Sequence, residues 1–159
     1  MNAEKGLTHV DAQGQVKMVD VGGKQPTQRT ATAQAIVHLP QNVVEELTQR
    51  DFHVAKGSVI QTAVLAGIMA AKKTGELIPL CHPLGLDAVD VQIQLQNNQL
   101  IVIGKASLFA KTGVEMEALT AVSVAALTVY DMCKALSHDI VIGEIKLMEK
   151  TGGKNDFKR

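Results

Sequence analysis

The sequence predicts an α+β fold, an antiparallel sheet of split βαβ connectivity with helices packed on one face. Three observations predict it. First, the apolar spacing alternates between period 2 and period 3.6, in the order strand, helix pair, strand, strand, helix, strand. Second, the apolar residues are mostly Ala, Val, Ile and Leu, with three Phe, one Tyr and no Trp, a composition suited to close helix-on-sheet contact. Third, 159 residues without internal repeat or low-complexity segment make one domain, 1–159, with enough chain for a core of its own.

Residues 1–28, rich in Gly, Gln, Lys and Asp, read as a mobile arm in which Val16–Val21 can pair briefly as a strand. Arg29–Leu39 reads as the first main strand, ended by Pro40, which has no amide to donate. Asn42 is the expected N-cap of a short helix through Arg50, with Val43, Val44 and Leu47 on its inner side. After a break at Lys56–Gly57, Ser58 caps a second helix to about Lys73, with Ile60, Ala63, Val64, Gly67, Ile68 and Ala71 inward. The segment LIPLCHPL, Leu77–Leu84, carries two prolines and reads as a stiff loop.

Val89, Val91, Ile93 and Leu95 alternate as a strand; Gln96–Gln99 is the turn, and the return strand runs from Leu100 through Leu108. Lys111–Asp139 reads as one long helix, with Leu119, Val122, Ala126, Val129, Cys133 and Leu136 in a continuous stripe. A second face of that helix carries Met116, Thr120, Leu127, Asp131 and Lys134, and its apolar half is expected to meet something other than water. Ile140–Met148 supplies the last strand. The sheet face without helices keeps apolar positions, so a second subunit is expected to cover part of the surface.

Sixteen basic and sixteen acidic residues cancel, which gives no bulk electrostatic grip on nucleic acid. Lys146, Lys150, Lys154, Lys158 and Arg159 nevertheless crowd the C-terminal end, as a solvated tail or an anion site. Cys81 and Cys133 match no paired zinc spacing. With no disulfide framework and no charged-then-apolar leader, a reducing cytoplasm is expected. The strongly apolar run Val59–Ala71 is too short and mixed for a membrane span.

Several residues stand out chemically. His82 lies between Cys81 and Pro83 in the proline loop, a rigid mount for an acid/base or hydrogen-bonding imidazole, though a surface His in a proline turn would look the same. Cys81 is a candidate ligand or nucleophile, with a buried core thiol the plainer reading. Glu115 and Glu117 fall in the first turn of the long helix, after Thr112–Gly113. The helix dipole favours such carboxylates by roughly 0.3–1 kcal/mol each. That effect accounts for one of them; the other has no evident structural duty. Asp131 and Lys134, at i and i+3, can pair. Lys56 is a further acid/base candidate, while Arg29, Lys150 and Lys154, the last after Gly152–Gly153, can hold phosphates.

Taken together, MVDVGGK (Met18–Lys24), KGSVIQTAVLAGIMAAKKT (Lys56–Thr74), LIPLCHPL, KTGVEMEALTAVSVAALTVYDMCKAL and KTGGKNDFK resemble the cyclic pyranopterin monophosphate synthase family, the protein C family of molybdenum cofactor biosynthesis. The resemblance covers nearly the whole chain. It implies a ferredoxin-like fold, a homohexamer built as a trimer of dimers, and active sites at subunit interfaces. It implies a lyase acting on the cyclised dihydroguanosine triphosphate made by a preceding radical enzyme, with Asp131 catalytic and Lys56 and Lys134 serving proton transfers. Leu80, Cys81, His82, Met116 and Glu117 would contact substrate, and Glu115, Arg29, Lys150 and Lys154 complete the expected binding set. Lysines of lowered pKa would suit such chemistry. No cofactor is expected beyond a magnesium ion accompanying the triphosphate. Two other classes fit parts of the pattern: a non-catalytic nucleotide- or pterin-binding module of the same fold, and a zinc protein using Cys81, His82, Cys133 and His138.

Overall fold

The computed structural model describes residues 10, 11 and 13–159; the first part of the expected arm, residues 1–9 and 12, lies outside the described residues. The elements follow in the order β1 (Thr27–His38), α1 (Gln41–Gln49), β2 (His53–Val54), β3 (Gly57–Ser58), α2 (Val59–Ala71) and α3 (Thr74–Leu77). Then come β4 (Ala88–Gln96), β5 (Gln99–Ala110), α4 (Glu115–Cys133), β6 (Val141–Thr151) and β7 (Phe157–Lys158). The main sheet has the order β4-β5-β1-β6-β7 with every pair antiparallel. The α1–α2 crossover carries the chain from β1 past β5 to β4, and α4 carries it from β5 past β1 to β6. That is the split βαβ connectivity the periodicity predicts.

The strands form where the alternation says they should. Ala31, Ala33, Ala35 and Val37 of β1 and Leu100, Val102, Ala106 and Leu108 of β5 are buried toward the helices. Asn97, at φ +54, takes the left-handed turn that joins β4 to β5, a conformation Asn tolerates better than branched residues. The other face keeps Ile101, Ile103 and Gln92, Gln94 and Gln96 without a helix over them.

Small residues let α4 lie close to both α2 and the sheet. A Cβ added at Gly67 of α2 would sit 2.8 Å from the Ala121 carbonyl oxygen and 3.2 Å from the Ala125 Cβ. One added at Gly104 of β5 would sit 2.8 Å from Val122 Cγ1. This is why the core manages without aromatics. Gly67→Val should therefore lower stability by ~2–3 kcal/mol, because backbone rather than a flexible side chain must give way. Urea unfolding at fixed protein concentration measures it; a loss under half a kcal/mol would mean the helices separate freely.

Several local expectations need correction. Residues 111–114 precede α4, and the helix ends at Cys133 with Lys134 as its C-cap, so the expected helix was too long at both ends. Val114 is its N-cap, with no side-chain cap. The cap of α1 is Pro40 rather than Asn42: the Pro40 carbonyl accepts from the Val43 and Val44 amides, so no side-chain cap is used. Ser58 does cap α2, accepting from the Gln61 amide. Val16 makes an isolated bridge with Val10, and Val16–Val21 is otherwise not a strand. The small strand β7, pairing Phe157 with Lys150, was not anticipated.

By length and mean hydropathy α4 is the one helix among the described residues that meets the requirement for crossing a membrane. More than half of its apolar window is buried in this fold against the sheet and α2.

Candidate active site

Helix α4 has a cluster of candidate residues at each end. At the C-terminal end, Asp131 is held between two lysines: its Oδ1 lies 2.8 Å from Lys134 Nζ and its Oδ2 2.9 Å from Lys56 Nζ. Lys134 comes from the next turn, as the i, i+3 spacing predicts. Lys56 comes from the β2–β3 hairpin, where Gly57 at φ +114 closes the turn. The hairpin is entered through Asp51 and Phe52, both at positive φ. Two successive non-glycine residues in that region cost on the order of 1–2 kcal/mol each, a strain tolerated where it aims a side chain. Lys56 is thus delivered to Asp131 across 75 residues of sequence. Tyr130, the chain's one tyrosine, packs partly buried against the core beside Asp131.

Hydrogen bonds from Lys134 and Lys56, reinforced by their charges, pull the Asp131 carboxyl down to about 2. The same carboxylate raises the pKa of Lys134. In the single chain Asp131 and Lys134 are both about half exposed, so for Lys134 attraction outweighs desolvation. In the chain by itself Lys134 is therefore an ammonium at neutral pH. The sign for Asp131 follows. Its depressed pKa makes its contribution full above the ordinary 3.8, and that contribution is lost only as pH falls through about 2. Carbon NMR of the Asp131 carboxyl should show no titration between about pH 7 and 4. A midpoint near 4 would mean the lysines do not hold it.

At the N-terminal end of α4 lies a cleft of about 420 Å³. The proline loop gives it Leu80, Cys81, His82 and Leu84; the approach to α4 gives Thr112 and Gly113; the first turn gives Glu115, Met116 and Glu117. Although two apart, Glu115 and Glu117 both line it. Glu115 pairs with Lys150 of β6 at 2.9 Å, while Glu117 is only 3 % exposed. Burial raises the Glu117 pKa, partly offset by its own backbone amide, and the Glu115 charge raises it further. A carboxyl held toward its neutral form can donate a hydrogen bond.

Cys81 stands in the cleft wall rather than the core; burial and then the Glu117 charge raise its thiol pKa. Cys133 is the core thiol, pushed to about 11 by burial. His82 Nε2 donates to the Val19 carbonyl at 2.7 Å, which leaves Nδ1 as the ring's other position. Among the described residues no three His, Cys, Asp or Glu side chains gather as a metal-ligand set, so Cys81, His82, Cys133 and His138 are not brought together.

The anion candidates divide. Lys150 reaches the cleft through Glu115, and Arg29 reaches toward the Ala110 and Lys111 carbonyls at 3.4 and 3.5 Å, just before α4. Lys154 stands exposed in the turn after β6. Neighbouring Gly152 has a packing explanation instead of an anion one. A Cβ on Gly152 would meet the Gln28 carbonyl oxygen at 1.8 Å, and its amide already donates to Asp156.

A match to the MoaC family model extends over residues 18–153, and so takes in both clusters together with the segment that enters the cleft. The chain belongs to the MoaC family. Among relatives, "Molybdenum cofactor biosynthesis protein 1" of Drosophila melanogaster is 57% identical over 157 residues, 96% of this chain but 27% of that protein. "Cyclic pyranopterin monophosphate synthase" of Xanthomonas campestris pv. campestris, from two strains, is 52% identical over 152 residues, 95% of this chain and 92% of that protein. The chain thus spans about a quarter of the fly relative and nearly all of the bacterial ones.

Membership in the MoaC family does not by itself join the two clusters. From Glu117 to Asp131 the axis of α4 runs about 20 Å at ~1.5 Å per residue. One small substrate in the cleft of a MoaC-family chain cannot also touch that same chain's Asp131.

Proposed function

We propose that this chain is a phosphorus–oxygen lyase that converts (8S)-3',8-cyclo-7,8-dihydroguanosine 5'-triphosphate to cyclic pyranopterin monophosphate and diphosphate. The carrying observation is the 52% identity to proteins of that name over nearly their whole length. The reaction opens an imidazole ring, closes a pyrazine ring and expels diphosphate, so it needs several proton transfers and cations for the leaving charge. Asp131 holds Lys56 and Lys134 as paired ammonium groups that donate and return protons. The cleft, with Leu80, Cys81, His82, Met116 and Glu117, binds the bicyclic base; Arg29, Lys150 and Lys154 face the phosphates. Glu115 keeps Lys150 at the cleft edge.

The 20 Å separation supports a shared site, in which the lysine-flanked Asp131 of one copy meets the cleft of another. Leu127, 59% exposed and one turn from Asp131, gives that face the apolar flank a second copy would cover. The assembly we propose is a hexamer, a trimer of dimers, working in a reducing cytoplasm on the product of a radical enzyme. No resident cofactor is proposed, and magnesium enters with the triphosphate.

Incubating the purified protein with the cyclised nucleotide tests the reading directly, by chromatography of the pterin product. Product and diphosphate in equal amounts are expected. Tight binding without turnover would favour a non-catalytic nucleotide-binding module.

A further inference from the structure

The segment entering the cleft, residues 18–24, is fastened to the site by two side chains. His82 Nε2 donates to the Val19 carbonyl at 2.7 Å, and Lys111 Nζ donates to the Gly22 carbonyl at 2.7 Å. The segment also braces itself: Asp20 Oδ1 accepts from the Gly22 amide at 2.8 Å, and the Lys24 amide donates to the Val21 carbonyl at 3.1 Å. Val19, Val21 and Lys24 then form one wall of the cleft. Residues 18–24 thus form a strap held at Val19 and Gly22.

Charge gives the strap a purpose. The cleft wall contains two carboxylates, Glu115 and Glu117, and among its residues Lys24 is the one Lys or Arg. The nearby Lys150 is already paired with Glu115. Phosphates reaching the edge of the cleft meet Glu115 unless cations accompany them; Arg29, Lys150 and Lys154 approach from outside the lining, and Lys24 brings a positive charge from within it.

We propose that residues 18–24 are a strap that presents Lys24 to the phosphates of the substrate, and that Lys111 is the positioning residue that keeps the strap in place. The proposal rests on the polyphosphate substrate of the proposed function. Lys24 is the contact residue, whereas Lys111 touches the Gly22 carbonyl and acts through the strap.

Inorganic triphosphate is the probe, measured by titration calorimetry on the full chain. Because it needs no turnover, failure of the lyase reading and failure of the strap are distinguishable. Lys24→Met should weaken triphosphate binding about tenfold, and Lys24→Arg should restore most of it. With the cyclised nucleotide, Lys24→Met should raise KM with little change in kcat. Lys111→Met should weaken triphosphate binding in the same direction and speed tryptic cleavage after Lys17, while leaving the far-ultraviolet dichroism unchanged. Unchanged triphosphate affinity in Lys24→Met overturns the contact, and an unchanged cleavage rate in Lys111→Met overturns the positioning role.

Discussion

Asp131→Asn should give an assembled protein that binds the cyclised nucleotide and forms essentially no product. The substitution keeps the size of the side chain and one carbonyl acceptor, but it removes the charge shared by Lys56 and Lys134 at 2.9 and 2.8 Å. Both ammonium groups then lose the partner that orients them, and the raised pKa of Lys134 relaxes because its causes are the Asp131 hydrogen bond and charge. The side chain is half exposed and its ion pairs are screened by solvent, so the unfolding midpoint should shift only slightly and sedimentation should be unchanged. Single-turnover product formation and nucleotide binding, measured on one preparation, separate the outcomes. Full activity would remove Asp131 from the mechanism.

Lys56→Ala and Lys134→Ala should each cut product formation by about 10²–10⁴-fold, the usual contribution of a positioned acid or base. Their effects on Asp131 differ in origin. Losing Lys134 deletes the larger hydrogen bond, losing Lys56 the smaller, so the carboxyl pKa should climb from about 2 further in Lys134→Ala. Neither lysine belongs to the buried stripe of α4 or α2, and folding should survive both changes. Near-normal turnover in either variant would exclude that lysine. Mixing inactive Asp131→Asn with inactive His82→Ala, once subunit exchange is demonstrated, should restore partial activity if each site draws on two copies.

Where the sequence was informative, a repeating physical cause lay behind it. The alternation in β1, β4 and β5 and the stripe Val122–Ala126–Val129–Cys133 record burial at each step, so one-dimensional spacing carries them. The Asp131–Lys134 pair was legible because both residues lie on one helix. Lys56 was not placed by spacing, since its approach depends on a two-residue hairpin and two left-handed residues before it. Only the family resemblance put it with Asp131. Glu117 was singled out as lacking a structural task, yet its burial under the proline loop depends on packing between distant segments. The contacts of residues 18–24 were hidden for a similar reason: the segment's own composition is that of a loop, and its partners, His82 and Lys111, lie far along the chain. Pro40 displaced Asn42 as a cap because a favoured residue type does not decide where a turn of helix begins.

Tyr130 gives one end of α4 an optical label. With one Tyr and no Trp in the chain, near-ultraviolet emission excited at 280 nm arises from that single ring. It sits beside Asp131 on one side, and its backbone carbonyl accepts from the Lys134 amide at 2.8 Å. Phenol emission responds to nearby carboxylates, ammonium groups and changes of solvation. Events at the charged end therefore change the brightness of the whole protein, whereas those confined to the cleft, some 20 Å away along the helix, leave it dark to the instrument. The sparse aromatic content that lets α4 pack so closely also makes the unlabelled molecule a one-fluorophore reporter.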